Sequence, residues 1–309
     1  MPERLVASPA AWRGAEIAAQ NNWRHVISAD HINEINAAIA HAKNIGKPTN
    51  ALVRDDFPLP SLAGDIARWR DDIQNGRGFQ VVSGIPVQDW GEADASLFFW
   101  CLGLHLGQPG AQNQTGDLLG HVRDTGADKS NPFVRQYMTT QNIPFHCDAA
   151  DIVGLLCLNK AKAGGQSRIA SSVTVYNEII RRRPDLAPRL FDPFMLDVRE
   201  ERNDDGLKFI PIPPCRFDGT VLRTFYHAEY FRTVQRHDGV TLSEEDTALL
   251  DLYDEIAGEP GVHFDMDLEP GDIQLLSNHT AIHARTDYED FEDPAKKRHL
   301  LRLWLSVIA

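Results

Sequence analysis

From residue 118 onward the chain is a succession of short β-rich runs broken by turn signals, and this pattern limits the fold more than any single motif. The runs fall at 118–123, 152–159, 167–170, 220–225, 262–267, 272–278 and 299–308. Only two helical stretches, 173–182 and 244–257, interrupt them. Strands outnumbering helices in this way predict a mainly β core, a barrel or jelly roll, with helices packed outside it. Upstream the character is helical. Residues 8–48 and 60–76 suit helices, the second with Leu62, Ile66, Trp69 and Ile73 at three- and four-residue spacing. A β-rich run at 78–84 and a helix over 93–107 follow. With no internal repeat and no separating linker, the chain reads as one mixed α/β domain over 1–309. Residues 1–77 form its helical N-terminal region, and 78–309 its β core with helical insertions.

Composition narrows the function classes. The formal net charge of −13 argues against a nucleic-acid surface, because phosphate recognition relies on Lys and Arg. Cys101, Cys147, Cys157 and Cys215 form no C-x-x-C pair and no zinc-like spacing, so reduced, buried thiols are expected. The start, Met1-Pro2-Glu3-Arg4, carries no basic region followed by an apolar run, and nothing approaches 18 consecutive apolar residues. The expectation is a cytoplasmic protein with no membrane partner.

Within the strand-rich part lies Pro144-Phe145-His146-Cys147-Asp148. On a strand, His146 and Asp148 leave the same face, with Cα atoms ~6–7 Å apart. One imidazole and one carboxylate make two thirds of the facial triad that holds non-haem Fe(II) with open positions. The third donor is sought downstream, where His283 is the strongest candidate in the stretch after Pro270-Gly271. His279 lies four residues earlier. The terminal strand supplies a third anchor. Arg298, Leu300, Arg302 and Trp304 share one face, and inward guanidinium groups need anions, either structural Asp or Glu or a carboxylate ligand.

Taken in order, Phe145-His146-Cys147-Asp148, Gly164-Gly165-Gln166-Ser167, Asn278 with His283-Ala284, and Arg298 with Arg302 resemble the taurine dioxygenase-like Fe(II)/2-oxoglutarate-dependent oxygenases, relatives of the clavaminate synthase-like enzymes. The resemblance covers about residues 78–306. It implies a double-stranded β-helix in which His146, Asp148 and His283 hold Fe(II). It implies that Arg298 binds the distal carboxylate of 2-oxoglutarate and that Arg302 meets an anionic group of the prime substrate. Ser167 matches the family's hydroxyl that contacts 2-oxoglutarate, while spacing favours Ser172 or Thr174. The reaction implied consumes O2, releases succinate and CO2, and hydroxylates an unactivated C–H of a small carboxylate-bearing molecule, an amino acid or derivative. Desaturation or cyclisation is the alternative outcome. The carboxylate at 148 stands where iron halogenases of the superfamily have a small residue, which argues against halogenation.

Further substrate contacts are sought at Gln112, Gln114 and His121, before the first ligand strand, and in Arg223-Thr224-Phe225-Tyr226 and Tyr230-Phe231-Arg232, two stretches mixing aromatic residues with arginine. Three other readings stand beside the oxygenase. An iron enzyme without a keto acid leaves Arg298 dispensable. A retired barrel that only binds a metabolite leaves three metal donors without a purpose. A zinc hydrolase lacks an evident general base. Relatives are often dimers or tetramers, so a homo-oligomer is expected by analogy.

Overall fold

The larger sheet is laid around its last strand. Its order is β1 (Arg24–Val26), β2 (Phe79–Ser83), β14 (Ile273–Ser277), β6 (Ile152–Asn159), β17 (His299–Ser306) and β3 (Gln108–Pro109), with β4 (Leu119–Val122) also paired to β17. A second sheet runs β13 (Phe264–Met266), β8 (Ser167–Ser171), β15 (Ala281–Arg285) and β5 (Ile143–His146). Three two-stranded pieces complete the β structure: β9 (Phe194–Asp197) with β10 (Phe209–Ile212), β11 (Cys215–Phe217) with β12 (Leu222–Thr224), and β7 (Ala163–Gly164) with β16 (Tyr288–Glu289). This computed structural model describes residues 4–113, 115–128, 134–199 and 206–307.

Among the described residues there are seven helices: α1 (Gly14–Ala18), α2 (Ala29–Ile45), α3 (Ala63–Gln74), α4 (Val87–Leu106), α5 (Ser172–Arg182), α6 (Ala228–Thr233) and α7 (Glu244–Gly258). Local chemistry sets their ends. Ser28 Oγ accepts from the His31 amide at the start of α2, and Gly46, at φ 72°, closes it in the left-handed conformation. Ser171 Oγ caps α5 through the Thr174 amide, and Ser243 with Asp246 forms a capping box on α7.

Strand alternation then sorts the side chains. On β17, Leu301, Leu303 and Leu305 face α4 in one hydrophobic cluster with Phe98, Phe99 and Leu102. Leu300 and Trp304 face the other way, into a cluster that joins both sheets through Val81, Val153, Ile169 and Leu276. A third cluster packs α5 and α7 behind the smaller sheet. Gly271 shows how closely the parts approach: at φ 90°, a Cβ there would sit 2.0 Å from the Ile85 carbonyl oxygen.

Three expectations are corrected. The region 8–48 is not helical throughout, because Arg24–Val26 pairs in parallel with β2 and adds an edge strand to the larger sheet. Three residues are too few to show a period, and tertiary pairing decides them. The helix expected from residue 93 begins at Val87, continuing past a kink at Gly91 (φ 71°). Finally, strand β5 ends at His146, so Asp148 is not on the same strand face. It lies just beyond, where its amide donates to Asn278 Oδ1 at 3.0 Å and the Cys147 amide donates to the Tyr226 carbonyl.

Candidate active site

Pairing register brings the two histidines together. β15 runs antiparallel to β5 with His283 directly opposite His146, and their ring centroids lie 4.2 Å apart. His146 Nδ1–H donates to the Pro144 carbonyl at 2.9 Å, which turns Nε2 toward the centre of the site. Asp148 completes the set. Its Oδ1 is 3.8 Å from His146 Nε2, and its Oδ2 is 3.6 Å from His283 Nε2. Asp148 and His283 are buried, and Asp148 Oδ2 has no hydrogen-bond partner among the described residues.

Electrostatics favour metal-ready protonation states. Burial lowers His146, and burial with the neighbouring His146 lowers His283 to about 3, so both imidazoles are neutral at physiological pH. Burial alone would raise the Asp148 carboxyl, but Arg302, His283 and His146 together hold it below its ordinary range. Two neutral imidazoles and one ionised carboxylate, converging in a buried site, are the donor set that fits Fe(II).

Two clefts meet at this cluster, sharing Tyr137, Ile143, His146 and Arg302. The first includes Ser167, His283, Arg285 and Arg298. Ser167 Oγ donates to Gln274 Oε1 at 2.9 Å. Arg298 is buried, its amide donates to Asp290 Oδ1, and its Nη1 has no partner among the described residues. Arg285 is also buried. Its Nη2 donates to the Thr139 carbonyl at 2.9 Å, whereas its Nε and Nη1 lack partners. Burial and the adjacent Arg298 push Arg285 down to about 10. The ring of Tyr288 lies near both guanidinium groups, 4.8 Å from the Arg285 Cζ and 5.2 Å from that of Arg298. Neither arginine forms an ion pair among the described residues, so the cleft holds cationic donors without an anion.

The second cleft is bounded by Arg135, Arg199, His227, Glu229 and Tyr230. Arg302 donates from Nε to Gln112 Oε1 at 2.7 Å, and its guanidinium lies over the rings of Tyr137 and Trp304. Gln112 also ties Arg135, whose Nη1 donates to the Gln112 carbonyl at 2.6 Å. Arg199 reaches Glu229 at 2.8 Å and lies over Tyr230. His227 stacks on Tyr230 with centroids 3.8 Å apart and bridges His146 through the backbone.

The structure therefore brings together His146, Asp148, His283, Ser167, Arg298 and Arg302. Others fall elsewhere. Ser172 is the first residue of α5, fully buried and apart from both clefts, because the chain has already turned out of β8; Thr174 instead donates to the Trp12 carbonyl. His121 pairs with Leu301 and so faces the α4 side, leaving its neighbour Val122 toward the cleft. Arg223 is exposed and lines a separate surface cleft with Asp151 and His279. Of the mixed aromatic stretches, Tyr230 reaches the site, while Tyr226 and Phe231 are core and Arg232 pairs with Asp251 and Asp254. Gln114 lies outside the described residues. Arg285, Arg135, Arg199 and His227 were missed; only the parity of Arg285 with His283 on one strand carried a signal.

The sequence matches the family described as "Taurine catabolism dioxygenase TauD, TfdA family" over residues 42–304. FR-33289 synthase of Streptomyces rubellomurinus is 30% identical over 99% of this chain and 91% of that protein. A taurine hydroxylase-like protein, SAT17, of Stachybotrys chartarum is 25% identical over 95% of this chain and 77% of that protein. Among solved structures, an asparagine oxygenase in complex with Fe(II), 2S,3S-3-hydroxyasparagine and succinate superimposes with TM-score 0.72 at 16% identity, covering 92% and 93% of the two chains. The non-heme iron oxygenase OrfP in complex with Fe and alpha-ketoglutaric acid does so with TM-score 0.68 at 14% identity, covering 92% and 94%. The chain belongs to the taurine catabolism dioxygenase TauD, TfdA family. It is an oxidoreductase, a dioxygenase that uses Fe(II), 2-oxoglutarate and O2.

Proposed function

We propose that His146, Asp148 and His283 hold the Fe(II), and that the cleft containing Arg298, Arg285 and Ser167 takes 2-oxoglutarate. The observation that carries this reading is the set of buried N–H groups on Arg298 and Arg285 that have no partner among the described residues, beside the three donors. A dicarboxylate whose keto-acid end reaches the metal would place its far carboxylate among them, giving these guanidinium groups charge-assisted hydrogen bonds. When bound, the iron and keto acid together supply the oxidant for an unactivated C–H bond, with release of succinate and CO2. The chain's own residues do the rest. The Pro144 carbonyl and Asn278 aim His146 and the Asp148 segment, and apolar Leu155, Leu268 and Leu300 keep the keto-acid cleft dry.

The second cleft is the substrate side in this reading. Arg135, Arg199 and Arg302 offer three guanidinium groups against the carboxylates of Asp148 and Glu229, which suits a small anionic molecule. Solved relatives of this fold carry hydroxylated asparagine and arginine, so a carboxylate-bearing amino acid or derivative, hydroxylated at carbon, is the substrate class proposed. The two sheets with their flanking helices would form the family's double-stranded β-helix, with residues 1–309 acting as one oxygenase unit. We further propose a cytoplasmic enzyme without a nucleic-acid partner; among the described residues no helix is long and apolar enough to cross a membrane.

Anaerobic Fe(II) titration with and without 2-oxoglutarate tests the cofactor assignment. A weak visible metal-to-keto-acid charge-transfer band is expected, lost in His146→Ala and in Arg298→Ala. Iron binding without the band would defeat the assignment of the cleft.

A further inference from the structure

A second group of donors lies on the opposite face of the larger sheet. His299 opens β17 and has the parity of Leu301 and Leu303, so strand alternation points it away from the cleft and toward α4. There it meets His121 of β4, with His121 Nδ1 2.8 Å from His299 Nε2. Glu92 of α4, one residue past the kink at Gly91, brings Oε1 to 3.9 Å from His121 Nδ1 and Oε2 to 3.8 Å from His299 Nδ1.

We propose that Glu92, His121 and His299 form a second metal site, for a zinc-type divalent cation, separate from the iron site. The donor set is again two imidazoles and one carboxylate. The carboxylate-to-imidazole separations match those at the cleft, where the corresponding distances are 3.8 and 3.6 Å. Three such ligands and one water make the tetrahedral arrangement that Zn(II) accepts, and imidazole also suits Cu(II) and Ni(II). His299 is buried, and burial above all lowers it to about 4, so its ring is a neutral donor at physiological pH. One ion uses one ring nitrogen of His299. Glu92, exposed on its helix, is the ligand free to adjust its carboxylate to that choice. A bound ion would fasten α4 to β4 and β17, the strand that carries Arg302 and begins directly after Arg298.

The competing account is a structural His–His hydrogen bond with a nearby surface glutamate. Cobalt(II) separates the two, because four- and five-coordinate Co(II) absorbs visible light far more strongly than the six-coordinate ion of an open facial site. The native full-length chain is titrated with Co(II), following absorption and stoichiometry together, alongside Glu92→Ala and His121→Asn. Two equivalents are expected for the native chain, one of them strongly absorbing, and only the weakly absorbing equivalent in either variant. The same titration on full-length H146A/H283A should leave the strongly absorbing equivalent alone, and Zn(II) should displace it. A single weakly absorbing equivalent in the native chain would overturn the proposal. So would a strongly absorbing ion that survives both Glu92→Ala and His121→Asn. Because Glu92 sits on an exposed helix turn, its truncation leaves the fold intact and keeps the test decisive if a histidine variant unfolds.

Discussion

Arg298 couples affinity to stability with opposite signs, and Arg298→Met exposes both. In the ligand-free chain its guanidinium is buried, lowered from its usual range mainly by burial, and has Nη1 unpartnered among the described residues. Removing one member of a buried, hydrogen-bonded charge pair typically costs about 2–5 kcal/mol. For 2-oxoglutarate this corresponds to ~30- to ~5,000-fold weaker binding. The lower end is expected here, since Arg285 remains in the cleft as a second cation. Without ligand the same change removes an uncompensated buried charge, and methionine fills comparable length. Replacing buried charges by apolar side chains is often neutral or stabilising by about 1–4 kcal/mol. The amide bond to Asp290 belongs to the backbone and survives the substitution. Isothermal titration of 2-oxoglutarate into the anaerobic Fe(II) protein measures the first effect, and denaturant unfolding of the ligand-free chain the second. The argument fails if Arg298→Met binds 2-oxoglutarate within threefold of the native protein, or if it lowers unfolding stability by more than 1 kcal/mol.

Four other outcomes follow from the geometry. Gly165→Ala should raise KM for 2-oxoglutarate more than it lowers kcat, since the position has φ 73° and a Cβ would come within 3.1 Å of Arg298 Nε. Steady-state kinetics at varied keto acid checks this split. Gln112→Leu leaves Arg302 Nε without its acceptor, so the KM for the prime substrate should rise while 2-oxoglutarate affinity holds. Asn278→Ala frees the Asp148 amide and should weaken Fe(II) binding by about 10–100-fold, read by competition with a chelator. For Asp197, burial alone would raise the carboxyl, but Arg236, the Arg199 amide and His237 hold it at about 2. A depressed carboxylate stabilises the fold fully above its unfolded value of about 3.9, and the benefit fades as pH falls toward 2. Asp197→Asn should therefore cost about 2 kcal/mol at neutral pH, and the gap to the native chain should close in acid unfolding curves.

How much was legible depends on whether a residue's position is fixed by periodicity. The two-residue repeat of a strand put Arg298 and Arg302 on one face, and both do line one cleft, although β17 begins at His299, one residue after Arg298. His121 was sought only for its place before the first ligand strand, and place along the chain does not give the face: pairing with Leu301 put it under α4. His146 and Asp148 were found as a triplet, but on a mistaken warrant. The strand stops at His146, and hydrogen bonds to Tyr226 and Asn278, far away in sequence, bring the carboxylate round. Arg135, Arg199 and His227 reach the second cleft from outside regular strands and helices, where no period exists to read. The choice between Ser167 and Ser172 turned on where β8 gives way to α5, and element boundaries are what sequence specifies least.

The adjacency of Arg298 and His299 has an evolutionary consequence. Two neighbouring residues serve opposite sides of one sheet, and the bulge between His299 and Leu300 fixes their phase against β6. A one-residue insertion or deletion early in β17 would exchange inward and outward side chains along the rest of the strand if its start stays in register, turning Arg302 beneath α4 and Leu301 and Leu303 into the clefts. Length variation should therefore collect in the charged segment 287–297 before the strand and be purged within it. A library of single-codon deletions across 285–306, sorted for soluble protein, would map that boundary to the residue.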